Sequence, residues 1–130
     1  FYDPRTAPSV DEIVRMIRQE ELTANVFSSF GQFLDIVPSR ASKGQALRYV
    51  AQRLDVPVEQ ILAAGGSGAD EDMMRGNTLA VVVANRHHEE LSQLVEQDRI
   101  YFASQPHALG ILEAIDHYDF FDSCNVPKPQ

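Results

Sequence analysis

Apolar residues at Val10, Ile13, Val14 and Ile17 recur at helical spacing and predict an amphipathic helix. Ser9 can cap that helix and Glu12 completes a capping box, so it opens after Pro8. It should end near Glu21. From Thr23 to Ser28 the chain is rich in β-forming and small residues, which predicts a strand. Gly31 makes a turn, and Phe33 to Val37 returns as a second strand. Two neighbouring strands on a short connection predict an antiparallel hairpin. After Pro38 a second helix starts, with Ser42 and Gln45 placed as another capping box. Leu47, Val50, Ala51 and Leu54 form its apolar face.

The remainder alternates between two periods. A short apolar run from Ile61 to Ala64 reads as a buried strand. A short helix from Asp70 to Arg75 follows, then a strand from Leu79 to Ala84. A helix near His88 to Glu96, a strand from Ile100 to Phe102 and a helix from about His107 to Tyr118 complete the pattern. Such alternation predicts an α/β fold with a parallel sheet and crossover helices. The segment from Asp122, with Pro127 and Pro129, reads as a disordered tail.

Composition narrows the function. At 130 residues the chain is one domain with room for a core. The net charge of −8 comes without any lysine or arginine block, which argues against nucleic acid and anionic membranes as partners. It also disfavours an anionic substrate unless a local lysine or a metal offsets the field. A single cysteine, Cys124, allows no disulfide within the chain and fits a reducing cytoplasm. No apolar run reaches membrane-spanning length, and no signal peptide opens the chain.

The stretch Gly65-Gly66-Ser67-Gly68-Ala69-Asp70-Glu71-Asp72 carries the candidate chemistry. Glycines after a strand let the backbone turn tightly and approach a ligand. Carboxylates closing such a loop offer oxygen ligands of the kind Mg²⁺ prefers. Ligands in parallel sheets sit at the carboxyl ends of strands, where this loop falls. It is not a Walker A loop, since no Lys-Ser/Thr follows its glycines. Nor is it a dinucleotide fingerprint, since Glu71 occupies the third glycine's place. Asp70 can ligate metal or cap the short helix, and capping is the preferred reading. Asp72 should face solvent. Ser67 can donate to a ligand oxygen or satisfy the loop backbone. His87-His88-Glu89-Glu90 lacks the spacing of a zinc helix and reads as a charged first helical turn.

Four phrases, in order, resemble one family: Leu34-Asp35-Ile36-Val37-Pro38, Ala41-Ser42-Lys43-Gly44-Gln45-Ala46-Leu47-Arg48-Tyr49, Arg75-Gly76-Asn77-Thr78-Leu79 and Ala108-Leu109-Gly110-Ile111-Leu112-Glu113. With the glycine loop, they resemble the haloacid dehalogenase superfamily in its sucrose-phosphatase branch. That branch includes the phosphatase-like C-terminal domain of bacterial sucrose-phosphate synthases. The resemblance implies an α/β fold: a partial haloacid-dehalogenase-like parallel core with a remnant of an α+β cap. Residues 1–38 would be the C-terminal part of the cap, 39–121 the second half of the core, and 122–130 a flexible tail.

The resemblance also implies roles. Lys43 would steady a phosphate or the nucleophile's carboxylate, against the alternative of a solvated surface lysine. Asp70 would be a metal ligand and Ser67 and Asp35 substrate contacts, Asp35 being a cap–core acidic residue that orients the Lys43 region or else a plain surface strand residue. Mg²⁺ would be the cofactor, weak or absent here. The family loop reads Gly-Asp-Ser-Gly-Asn-Asp; here Gly66 replaces its first aspartate and Ala69 its asparagine. The family's nucleophilic Asp-x-Asp pair is not found in the sequence. The expectation is a sucrose-phosphatase-like domain of sucrose biosynthesis that is inactive as this chain. The alternative is a fragment of an active Mg²⁺-dependent sugar-phosphate phosphatase. Expected partners are a sugar phosphate, a glycosyltransferase domain of the same protein, and a second copy or partner segment to cover open strand edges.

Overall fold

A computed structural model describes residues 1–125 and Pro127. Helix α1 (Val10–Gln19) opens on the Ser9 cap, and Ser9 and Glu12 exchange the two bonds of a capping box. It turns its half-buried Ile13, Val14 and Ile17 inward and ends two residues before the expected Glu21, which has φ +54°. Strands β1 (Ala24–Ser29) and β2 (Phe33–Pro38) pair antiparallel, with Ala24 opposite Pro38 and Ser29 opposite Phe33. Gly31, at φ +64°, makes the turn that the sequence predicts.

Helix α2 (Lys43–Leu54) opens on Ser42, whose hydroxyl oxygen accepts from Gln45 N–H at 3.1 Å. Of its expected apolar face, Ala51 is buried while Val50 and Leu54 are exposed. Then follow β3 (Leu62–Gly65), a 3₁₀ turn (Gly68–Asp70), α3 (Glu71–Met74), β4 (Leu79–Val82), β5 (Ile100–Phe102), α4 (His107–His117) and α5 (Phe120–Ser123). Strands β3, β4 and β5 form a parallel sheet in that order, with Leu62 opposite Leu79 and Ala80 opposite Ile100. Side chains alternate across β4, and both faces are covered, as parallel strands require. Ala80 and Val82 pack with Met74, Leu91, Leu94 and Ile100. Val81 packs on the other face with Ala103 and Ala114.

Two expectations are corrected. The helix expected near His88 to Glu96 is instead a series of turns. Leu91 N–H bonds His87 O, but Ser92 N–H and Leu94 N–H reach only three residues back. Leu91 and Leu94 are drawn into the core while Glu90 is drawn toward the hairpin, and these opposed pulls exclude a regular helix. The disordered stretch expected from Asp122 does not hold for 122–124. Asp122 and Ser123 lie in α5, and Cys124 is buried, with its Sγ 4.0 Å from Glu59 O. The rest of that stretch, 126 and 128–130, lies outside the described residues. Among the described residues no helix is long and apolar enough to cross a membrane.

Candidate functional site at the carboxyl end of β3

The glycine loop leaves β3 and is clamped by backbone bonds from the chain after β4. Val83 N–H donates to Gly65 O at 3.1 Å, and His87 N–H donates to Gly66 O at 2.8 Å. The loop then folds back on Asp70, which is its hub. Asp70 Oδ2 accepts from Gly66 N–H at 2.9 Å, Ser67 N–H at 3.0 Å and the Ser67 hydroxyl at 3.1 Å. Its Oδ1 accepts from Lys43 Nζ at 2.5 Å. Asp70 occupies the N-cap position of α3 but makes no side-chain bond into that helix, so the capping expected of it does not hold; its carboxylate instead closes the loop behind it through a reciprocal box with Ser67.

Lys43 is the first residue of α2, where a cation opposes the helix dipole. Helix stability does not explain a lysine there; the ion pair with Asp70 does. Burial pushes the Asp70 pKa up, but the Lys43 bond and the two loop N–H bonds outweigh it, and the carboxyl titrates below its ordinary value. The Lys43 side chain stays half exposed, so its remaining donors face solvent or a ligand.

Asp72 does not face solvent as expected. Its Oδ2 accepts from Gly44 N–H at 3.0 Å, which puts a negative charge on the N-terminus of α2, and its Oδ1 is buried without a partner. Gly44 permits this approach: a Cβ there would stand 2.7 Å from Asp72 O. Asp35 stands apart, exposed on β2 opposite Phe27, and no hydrogen bond joins it to Lys43 or Asp70.

The sequence reading missed Glu90. Its side chain is only 8% exposed. Oε1 accepts from the Ser28 hydroxyl and from Gly31 N–H, each at 2.9 Å, and Oε2 accepts from Gly68 N–H at 2.9 Å. Burial pushes its pKa up, and these three donors, Gly68 N–H first, together with the Phe30 N–H carry it below the ordinary value. No local signal could find it, since its partners lie 22 to 62 positions away. A cleft of about 790 Å³ opens beside it, between the hairpin and the loops after β3 and β4. Asp11, Glu71, Asp72, Arg75, His87 and Glu89 line it; Lys43, Ser67 and Asp70 do not.

The donor set does not fit a resident Mg²⁺. Gly66 supplies no carboxylate, both Asp70 oxygens are engaged, and Asp72 is turned to α2. Among the described residues no group of three or more His, Cys, Asp and Glu is arranged to hold a metal.

A parallel sheet with a Lys–Asp pair at its loop, preceded by an antiparallel hairpin, defines a haloacid-dehalogenase-like core. Residues 1–119 match the sucrose-6F-phosphate phosphohydrolase family, and the chain belongs to that family. The sucrose-phosphatase of Synechocystis, solved with sucrose and phosphate, superposes with a TM-score of 0.81 at 34% identity. That match covers 90% of this chain and 49% of the other. The mannosylfructose-phosphate phosphatase of Agrobacterium fabrum is 27% identical over 119 residues, 91% of this chain and 48% of that protein. A probable sucrose-phosphate synthase of Arabidopsis thaliana is 31% identical over 71 residues, 54% of this chain and 7% of that protein. The chain thus spans about half the length of these two phosphatases.

Proposed function

We propose that this chain is a sucrose-phosphatase-like domain of sucrose metabolism that binds a sugar phosphate at the Gly65 loop and does not hydrolyse it by itself. One observation carries the reading. Gly66 stands where the family has a metal-binding aspartate, while Asp70 uses one oxygen on the loop and the other on Lys43. In this reading the free donors of Lys43 meet the phosphate, and the Ser67 hydroxyl turns from Asp70 to a ligand oxygen. Asp35, exposed on the hairpin, accepts from a sugar hydroxyl. Mg²⁺ has at most a weak site here.

The match to a sucrose-phosphate synthase supports a glycosyltransferase domain in the same polypeptide as the native partner. The single buried cysteine supports a cytoplasmic setting. Among the described residues no strand pairs with the outer edge of β3, and Val50, Leu54, Leu109 and Leu112 are exposed apolar residues. They support self-association or docking of a further segment.

The intact Lys43–Asp70 pair favours a second reading, in which the chain is part of an active sugar-phosphate phosphatase. The test is phosphate release from sucrose-6-phosphate with Mg²⁺, beside calorimetric binding of the same compound. Binding without release is expected, weakened about tenfold or more in Lys43→Met by loss of a charge-assisted bond. Turnover that copurifies with the protein supports the second reading. Light scattering should find a dimer or larger species; a stable monomer at micromolar concentration removes the association proposal.

A further inference from the structure

We propose that Glu90 is a latch that couples the hairpin tip to the glycine loop, so that the two move as one body. Two separate segments, the hairpin tip and the glycine loop, end on this one buried carboxylate. Its Oε1 holds Ser28 and Gly31 at the tip of the hairpin, and its Oε2 holds Gly68 in the loop. The contact is also close in backbone terms: a Cβ on Gly68 would stand 2.7 Å from Ser28 O. The α1–hairpin unit has no buried side chain in α1 and only half-buried residues in β1. Its position over the loop therefore depends heavily on polar bonds. Gly68 lies two residues before Asp70, so the latch reaches the Lys43–Asp70 pair through one short turn. A ligand that reshapes the loop displaces the hairpin tip, and displacement of the tip reshapes the loop. Glu90 is a positioning residue in this scheme, since it does not touch the pair itself.

The inference rests on this geometry and not on hydrolysis or sugar-phosphate binding. Its test is an acid titration followed through the Gly31 and Gly68 amide protons, with their hydrogen exchange. Both amides donate to one carboxylate, so both should shift with a single midpoint below the ordinary glutamate value. His87 Nδ1 lies 3.8 Å from Oε1, and Asp11, Glu71, Asp72, Arg75 and Glu89 line the adjoining cleft. Their titrations are separated by the isosteric variant Glu90→Gln, in which the shared transition should vanish. Its side-chain NH₂ cannot accept, so exchange at Gly31 or Gly68 should accelerate by at least about tenfold. Gly68→Ala breaks the latch from the other side and should unprotect the unchanged Gly31 amide. Different midpoints for the two amides in the wild-type protein overturn the latch, and that measurement needs no variant. Persistence of the shared transition in Glu90→Gln, or a protected Gly31 in Gly68→Ala, overturns it as well.

Discussion

The parallel sheet and the α1–hairpin unit are built on different principles. Every residue of β4 is buried, and Met74, Val81 and Val82 have no exposed surface. In the hairpin unit β1 is half buried throughout, and Phe30, Phe33 and Ile36 are exposed. The sheet holds itself by packing, where close fit makes each methylene count. The hairpin is placed by a few directed polar bonds, chiefly those of Glu90. Packing resists motion in all directions, whereas a bonded hinge can open. The loop with Lys43 and Asp70 lies between the two units and so joins a side held by packing to one held by polar bonds.

The largest effect should come from the packed side. Met74→Ala removes a fully buried side chain beneath β4 and should cost about 2–5 kcal/mol in denaturant unfolding. Ile17→Ala on the half-buried face of α1 should cost about 1 kcal/mol. Equal costs would show that α1 belongs to the same core as the sheet and would erase the contrast.

Between these extremes sits Asp70, whose side chain is 11% exposed. Asp70→Asn keeps its shape but loses one acceptor and the Lys43 ion pair, at about 1.5–3 kcal/mol. The pH dependence has a definite sign. The folded pKa lies below the ordinary 3.8, so the carboxylate's contribution is complete above that value and fades as pH falls through the lower folded one. Denaturant midpoints followed from pH 6 downward should show this loss in the wild-type protein, and a smaller loss in Asp70→Asn. Parallel pH curves for the two proteins would remove Asp70 as the hub of the loop.

What the sequence made legible follows the same division. Ser9 with Glu12, the turn at Gly31 and the strand run at Leu79 are encoded within a few residues, so pattern and cap chemistry reveal them. The glycine loop was legible as a tight turn after β3 because its glycines and carboxylates are contiguous. Asp72 and Glu90 were not legible, because each bonds groups far away in the chain: Asp72 reaches Gly44, and Glu90 reaches Ser28, Gly31 and Gly68. Local context read Asp72 as solvated and Glu90 as part of a charged first helical turn, and tertiary contact overrode both. The turns at 88–93 escaped for the same reason. Leu91 and Leu94 have helical spacing, but their burial beside Met74 is satisfied by turns once Glu90 points elsewhere.

An effect on stability as small as that of Ile17→Ala, and the sharpest effect on function, belongs to Gly66→Asp. A Cβ at position 66 would lie 3.2 Å from Val83 Cγ2 and 3.4 Å from Arg86 Cα, a tight but yielding fit against a methyl group. The stability cost should be about 1 kcal/mol. The new carboxylate would join a loop whose Gly66 N–H already bonds Asp70 Oδ2, so two acidic side chains would share one end of β3. Hard-cation affinity rises with the number of anionic oxygens. Titration calorimetry should therefore detect Mg²⁺ binding at least about tenfold tighter than in the parent chain, by the weight of one added charged ligand. Phosphate release from sucrose-6-phosphate should stay at background in both proteins, because a second metal carboxylate supplies no nucleophile. Equal Mg²⁺ binding would mean that positions 66 and 70 do not face one site.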